Sequence, residues 1–322
     1  MRMLICWVLF PLLIQAQNPV IPRYSIVSIP THSRAIAMGG TGIASSVGNQ
    51  QLNGNLGKSV FTPHFHQASV SYQPWLRSFF TDTKLMRVDY LKTMGSSATI
   101  GFALDYLDLG NITLRDNNGA DLSIHPNYQF NVGSSVGIRL SDQAGIGVGL
   151  HFLSARQFDR GFPSTTNTVA GNLHYYQFAS LSNPLQQLQW GVVLNHLSAS
   201  KHEISSIGIG CAYQVQSENS DLWTIGLDMK RMLFLSTAPI QLSLGSEYVF
   251  SEQFFIRGGF GWESIRAGGR KMITIGAGYK GFVADQSFSL DVHYLVPIGM
   301  VTVSPLQHSY GLSLGINIGN FQ

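Results

Sequence analysis

The chain has 322 residues, of which only 11% are charged, with 34 glycines, a net charge of +3 and a mean hydropathy of +0.11. Soluble proteins carry roughly 25% charged residues, so an ordinary water-exposed surface is excluded. The basic residues are dispersed, which excludes a nucleic-acid patch. No stretch after the leader reaches the roughly 20 consecutive apolar residues of a spanning helix.

Residues 1–16 read as a secretory signal peptide: Arg2 gives the positive start, Leu4 to Ile14 the apolar run and Ala16 the cleavage position before Gln17. Cys6 lies in that run and leaves with it. Residues 17–65 do not alternate in polarity. They hold a short helix-compatible run, Ser33–Met38, stopped by Gly39 and Gly40. That length of non-strand chain ahead of a large barrel predicts a plug that fills the lumen, with Arg34, Met38, Gly39, Gly40 and Gly42 inside it.

From residue 66 onward the polarity alternates in segments of about ten. In ATIGFALDY, Ala98, Ile100, Phe102, Leu104 and Tyr106 share one face, while Thr99, Gly101, Ala103 and Asp105 share the other. Strands are expected at 66–74, 84–92, 97–107, 127–140, 144–154, 168–182 and 187–198. The series continues at 204–216, 221–231, 240–250, 253–262, 271–281, 286–296 and 307–318. Short segments with period two, separated by turns, define an all-β antiparallel transmembrane barrel of about 14 strands over residues 66–322. Lys84, Arg87, Asp89 and Lys92 interrupt the second strand and weaken its signal.

Short polar turns at 93–96, 141–143, 183–186, 217–220, 251–252 and 282–285 alternate with longer loops at 75–83, 108–126, 155–167, 199–203, 232–239, 263–270 and 297–306. Outer-membrane barrels keep short turns on the periplasmic side, so both barrel ends are expected there. Glycines on the polar face, such as Gly145, Gly147 and Gly149, or Gly276 and Gly278, mark places where something approaches the wall closely.

Two long loops are unexpectedly apolar. Leu233, Phe234 and Leu235, with Ile298, Met300 and Val301, are candidate partner-binding residues, and strand addition there is one way to engage a β-rich partner. Trp75, Leu76 and Arg77 form a third candidate loop, for which an aromatic girdle at the membrane interface is the plainer reading of Trp75. Trp190, Trp223 and Trp262 are expected in that girdle, and Cys211 on the apolar strand face. Arg34 needs an inward carboxylate, with Asp89, Asp105, Asp228, Glu247 and Asp291 as candidates. His64 and His66 have no acidic or thiolate neighbour, so no metal is expected. No Gly-x-Ser-x-Gly elbow occurs, and neither enzyme activity nor a cofactor is expected.

Several stretches resemble one family. Ser33–Ser45 (SRAIAMGGTGIAS) is similar to the S-R-A-x-x-M-G-x-x-G-V-A opening of PorV/PorQ-like proteins, barrels of the long-chain-fatty-acid-transporter fold. Asn53–Gly57, Ser71–Arg77 (SYQPWLR), Asp108–Gly119 (DLGNITLRDNNG) and Gln187–Leu197 (QLQWGVVLNHL) follow in the family's order, and the Pro-Trp-Leu-Arg stretch is closer to PorV. Leu56 follows Asn55 where the family often has Pro. The resemblance implies a bacterial outer-membrane component of type IX secretion. Its implied partners are the giant translocon barrel, the C-terminal signal domains of secreted cargo and a surface attachment complex, in outer-membrane lipid. The shared fold also allows a different role, a transporter for hydrophobic small molecules such as fatty acids.

Overall fold

The computed structural model describes residues 24–45, 54–75, 82–116, 118–159, 162–198, 205–233, 240–264, 270–284, 286–298 and 309–320. Residues 1–16, read from the sequence as a signal peptide, lie outside this set. The strands are β1 (His64–Pro74), β2 (Lys84–Met94), β3 (Ala98–Arg115), β4 (Asp121–Arg139), β5 (Ala144–Asp159), β6 (Phe162–Ser180) and β7 (Gln186–Leu197). They continue with β8 (Ser206–Gln216), β9 (Leu222–Met232), β10 (Ile240–Phe250), β11 (Phe254–Glu263), β12 (Lys271–Val283), β13 (Gln286–Pro297) and β14 (Ser309–Asn320). Each pairs antiparallel with its chain neighbours, and β1 closes on β14, with His64 opposite Asn320 and Tyr72 opposite Leu312.

This is the expected barrel of fourteen strands. Closure pairs the edges that would otherwise expose backbone groups to hydrocarbon. Outward side chains such as Phe102, Leu150, Ile275 and Leu314 are 53%, 59%, 54% and 47% exposed. In water such a belt would aggregate; against lipid it is the stabilising surface. Trp190 and Trp223 join this exposed face, and Cys211 is exposed as well.

The structure differs from the sequence expectation in β3 to β6, which run through most of the predicted loops 108–126 and 155–167. Beyond the membrane both faces of a strand meet water, so the apolar–polar alternation fades although pairing continues. Asn111 still pairs with Pro126 and Thr113 with Ile124. Gly110, at φ 80°, and Pro126 look like loop residues, but they sit at a register shift between Asp108 and Asn111. A bulge accepts both a left-handed glycine and a proline without a donor.

Ahead of β1, a 3-10 turn spans Ser25–Ser28, helix α1 spans Ser33–Ala37, and a second 3-10 helix spans Leu56–Phe61. Helix α1 stops where the sequence placed the stop: Gly39 and Gly40 have φ of 71° and 94°, and their amides donate to the Ile36 and Ala35 carbonyls. Tyr24, Ile26, Ile29 and Ile36 are buried with Trp75, Leu85, Leu107, Leu153 and Leu295. The apolar core of the molecule is therefore this cluster at the outer ends of the strands, between the N-terminal segment and the wall. Trp75 belongs to it at 9% exposure, which corrects its girdle placement. Its position follows from pairing: β1 points its odd-numbered residues inward, and Trp75 continues that series.

Candidate functional site

The barrel interior is where the charged residues of the strands converge. The side chain of Arg34 grips Glu247 with two bonds, Nε to Oε2 at 2.9 Å and Nη2 to Oε1 at 2.8 Å. Arg257 Nε donates to the same Glu247 Oε2 at 2.6 Å, and its Nη1 bonds Asp291. Two cations and two carboxylates thus neutralise one another where Glu247 and Arg257 are 2% and 4% exposed.

A second network runs around the opposite wall. His32 Nε2 stands 2.7 Å from Asp89 Oδ2, and Arg87 bridges Asp89 and Asp105, both at 2.7 Å. Asn131 donates to Asp105, His151 donates to Asn131, and Asn172 donates to His151, at 2.8, 3.0 and 2.9 Å. On its other side His32 Nδ1 meets Ser71 Oγ at 3.0 Å, which reaches Ser313 and, through it, Ser33. The belt links inward residues of β14, β1, β2, β3, β4, β5 and β6, and ties α1 to them. Arg87 and Asp89, two of the charges that weakened the sequence signal of β2, are its centre.

The third anchor is a clamp on the turn after α1. Asp228 Oδ2 accepts the Gly42 and Ile43 amides at 2.7 and 2.9 Å, while Lys58 Nζ donates to the Gly42 and Ser45 carbonyls. Asn55 is fully buried and makes three bonds: it caps the second 3-10 helix through Gly57 N and donates to the Ile43 and Tyr175 carbonyls. The residue that stands before Leu56, rather than before a proline, is thus the joint between the two halves of the segment. Asn55→Ala is expected to cost about 2–4 kcal/mol of docking, one cap plus two carbonyls left unmet. The check is limited proteolysis of the folded barrel, with faster cleavage in residues 24–61.

Wall glycines make the seats. A Cβ on Gly147 would lie 2.3 Å from Leu56 Cβ, and one on Gly145 2.3 Å from the Gly57 carbonyl oxygen. Gly276 faces Ala37 and Gly245 faces Met38, whose side chain is 1% exposed. The expectation of close approach is met at Gly145, Gly147 and Gly276, whereas Gly278 faces the wall side chains of Asp291 and Arg257.

Burial of Lys58, reinforced by Arg34, lowers its ammonium from the ordinary range to about 7, against a smaller opposing pull from Asp228. The docked segment therefore holds fewer protons at this site than an undocked one between pH 7 and about 10.5. Docking strengthens as pH rises through that window, by up to about tenfold per unit, and weakens on acidification toward 7. Protease protection of residues 24–61 should be greater at pH 8.5 than at pH 6.5, and Lys58→Met should flatten the difference.

A cavity of about 200 Å³ remains on the outer side of the segment, lined by Ile26, Ile29 and Trp75 on one side and by Arg34, Lys58 and Lys230 on another. No group of three or more His, Cys, Asp or Glu side chains among the described residues is placed to hold a metal.

Arg34, Met38, Gly39, Gly40 and Gly42 are all buried or half-buried against the inner wall. Gly39 N donates to Thr274 Oγ1 at 2.9 Å. The five carboxylates expected to face inward do so, at 1–6% exposure. Leu233 and Ile298, 39% and 43% exposed, continue strands at the outer rim, their amides bonded to Ser205 and Lys271 carbonyls. Leu76, Arg77, Phe234, Leu235, Met300 and Val301 lie outside the described residues. Sequence reasoning passed over His32 and Lys58, because His32 owes its role to Asp89 on β2 and Lys58 to the carbonyls of the Gly42 turn.

The fold and this interior define an outer-membrane barrel of the FadL-like class. A TodX deltaS2S3 mutant monoaromatic hydrocarbon channel superimposes with a TM-score of 0.58 at 13% identity, over 90% of this chain and 99% of the other. The Pseudomonas putida toluene transporter TodX gives 0.55 at 12%, over 94% and 98%, and a Pseudomonas aeruginosa FadL homologue 0.51 at 10%, over 89% and 98%. A search of curated protein sequences gives no match. Residues 14–171 match the model of the family described as type IX secretion system protein PorV. Over these residues the chain is PorV-like, similar to a component of type IX secretion, and its closed barrel is of the bacterial outer-membrane kind.

Proposed function

We propose that the protein binds the C-terminal signal domain of exported cargo at the translocon barrel and passes it to the surface attachment complex. In this reading the N-terminal segment is a plug that closes the lumen, so that cargo is met on the outer rim and nothing is conducted. The observation that carries it is the anchoring of that segment: Arg34, His32 and the Gly42 turn are tied to buried carboxylates on β10, β2 and β9. Buried ion pairs and amide-to-carboxylate bonds of this kind suit a fixed stopper. The exposed rim residues Leu233 and Ile298 and the adjoining apolar loop residues supply the docking surface, from which the buried Trp75 is withdrawn.

A second reading, admission of a hydrophobic small molecule, is favoured by the cavity beside Ile26, Ile29 and Trp75. The two separate in one experiment: a gentle-detergent pull-down of the tagged protein from native outer membrane, with mass spectrometry of what accompanies it. Recovery of a giant barrel or of secreted proteins sharing a C-terminal domain is expected. A lone barrel carrying lipid or another hydrophobic molecule would sink the secretion role.

A further inference from the structure

The barrel is closed within the membrane, but one strand outruns its neighbour. Strand β6 begins at Phe162 and is paired along its whole outer half with β5, from Phe162 opposite Asp159 to Ala170 opposite His151. On its other side, pairing with β7 ends at Gly171 opposite Leu197. The ending is built in. The register shifts between Gly171 and Leu173, and His196 takes a φ of 52°. Two bonds hold that turn: the His196 amide donates to Asn172 Oδ1 and Ser205 Oγ donates to the His196 carbonyl, both at 2.7 Å. A bulge of this kind terminates pairing and steers a strand away. Beyond it Ser198 Oγ lies 3.4 Å from Thr168 Oγ1. Among the described residues, the β6 backbone from Ser164 to Asn167 has no strand on that flank.

Exposed strand edges are ordinarily blunted by charges and prolines. The upper β3–β4 hairpin, whose outer flanks are also unpaired among the described residues, follows that rule with Arg115, Asp121 and Pro126. The β6 edge does not. Its sequence FPSTTNTVA has no charge, is rich in β-branched residues, and carries its one proline, Pro163, at the tip. Its outward residues Thr165 and Asn167 are exposed, as is Val169 at 54%. A row of backbone donors and acceptors at strand spacing is matched along its length only by another extended backbone.

We infer that the outer edge of β6, from Ser164 to Asn167, accepts a strand of the exported partner's β-rich domain by antiparallel or parallel addition. This rests on the cargo-binding reading above and specifies where and how the cargo is held. The test places a photo-crosslinking amino acid at Thr165 or at Asn167 of the full-length protein in its native cells, and maps each adduct by mass spectrometry. Adducts should fall within one segment of an exported protein and shift by two residues between the two positions. The double variant Thr165→Lys with Asn167→Lys, which adds the missing charges, should lower co-purified cargo by tenfold or more. Thr113→Lys on the charged β3 hairpin should leave it unchanged, and heat-modifiability should show all barrels folded. Equal cargo recovery from the double variant would overturn the edge site and leave the cargo-binding reading standing. So would adducts confined to residues 199–204 of the same chain, or to a second copy of it. Absence of exported protein from the wild type itself would overturn both.

Discussion

Glu247→Gln is expected to release α1 from the β10–β12 wall and to cost about 3–5 kcal/mol of docking, the usual result of breaking a buried ion pair from one side. The neutral amide cannot balance the two guanidiniums that now share Glu247. Arg257 retains Asp291, whereas Arg34 loses the charged carboxylate that its Nε and Nη2 both grip. The burden therefore falls on the N-terminal segment, not on the barrel, whose backbone pairing does not involve this side chain. Trypsin added to detergent-solubilised protein should cut at Arg34 in the variant and spare it in the wild type. Unchanged protection would mean that the pair contributes little to holding the segment.

Gly259→Ala should dislodge the segment by shape alone. An added Cβ would stand 2.1 Å from Gly39 N and 2.3 Å from the Met38 carbonyl carbon, and both are backbone atoms that cannot rotate away. Overpacking of this kind costs about 1–3 kcal/mol or more. The adjacent Gly258 is the internal control, since its nearest neighbour would be the Thr274 carbonyl oxygen at 4.0 Å. Gly258→Ala should therefore behave as wild type, while Gly259→Ala exposes residues 38–42 to protease. Both variants should keep the heat-modifiable migration of a folded barrel, because neither glycine has a positive φ to defend. Equal behaviour of the two would show that the seat under Met38 is not tight.

Much of this was legible in the sequence because a membrane-embedded strand must show lipid one face and the lumen another. That contrast marked each strand, and it placed Asp89, Asp105, Asp228, Glu247 and Asp291 inward. It also required a partner for Arg34, but could not choose among five carboxylates, since the choice depends on where α1 sits along the barrel axis. The outer parts of β3 to β6 were hidden where water bathes both faces and Gly110 and Pro126 mimic a loop. Trp75 was misread because tryptophan near a strand end has two homes, girdle and lumen, and local sequence does not tell them apart. Lys58 gave no signal at all: a lone lysine between Gly57 and Ser59 looks exposed until Gly42 and Ser45 are brought across to it.

The most direct test of the account is the conductance of the purified wild-type protein in planar lipid bilayers, with Gly259→Ala measured beside it. A segment anchored by three buried carboxylates on opposite sides of the barrel predicts a silent wild type and ion-conducting openings in the variant. Steady, wild-type conductance equal to that of the variant would contradict a closed, cargo-presenting barrel and favour a conduit.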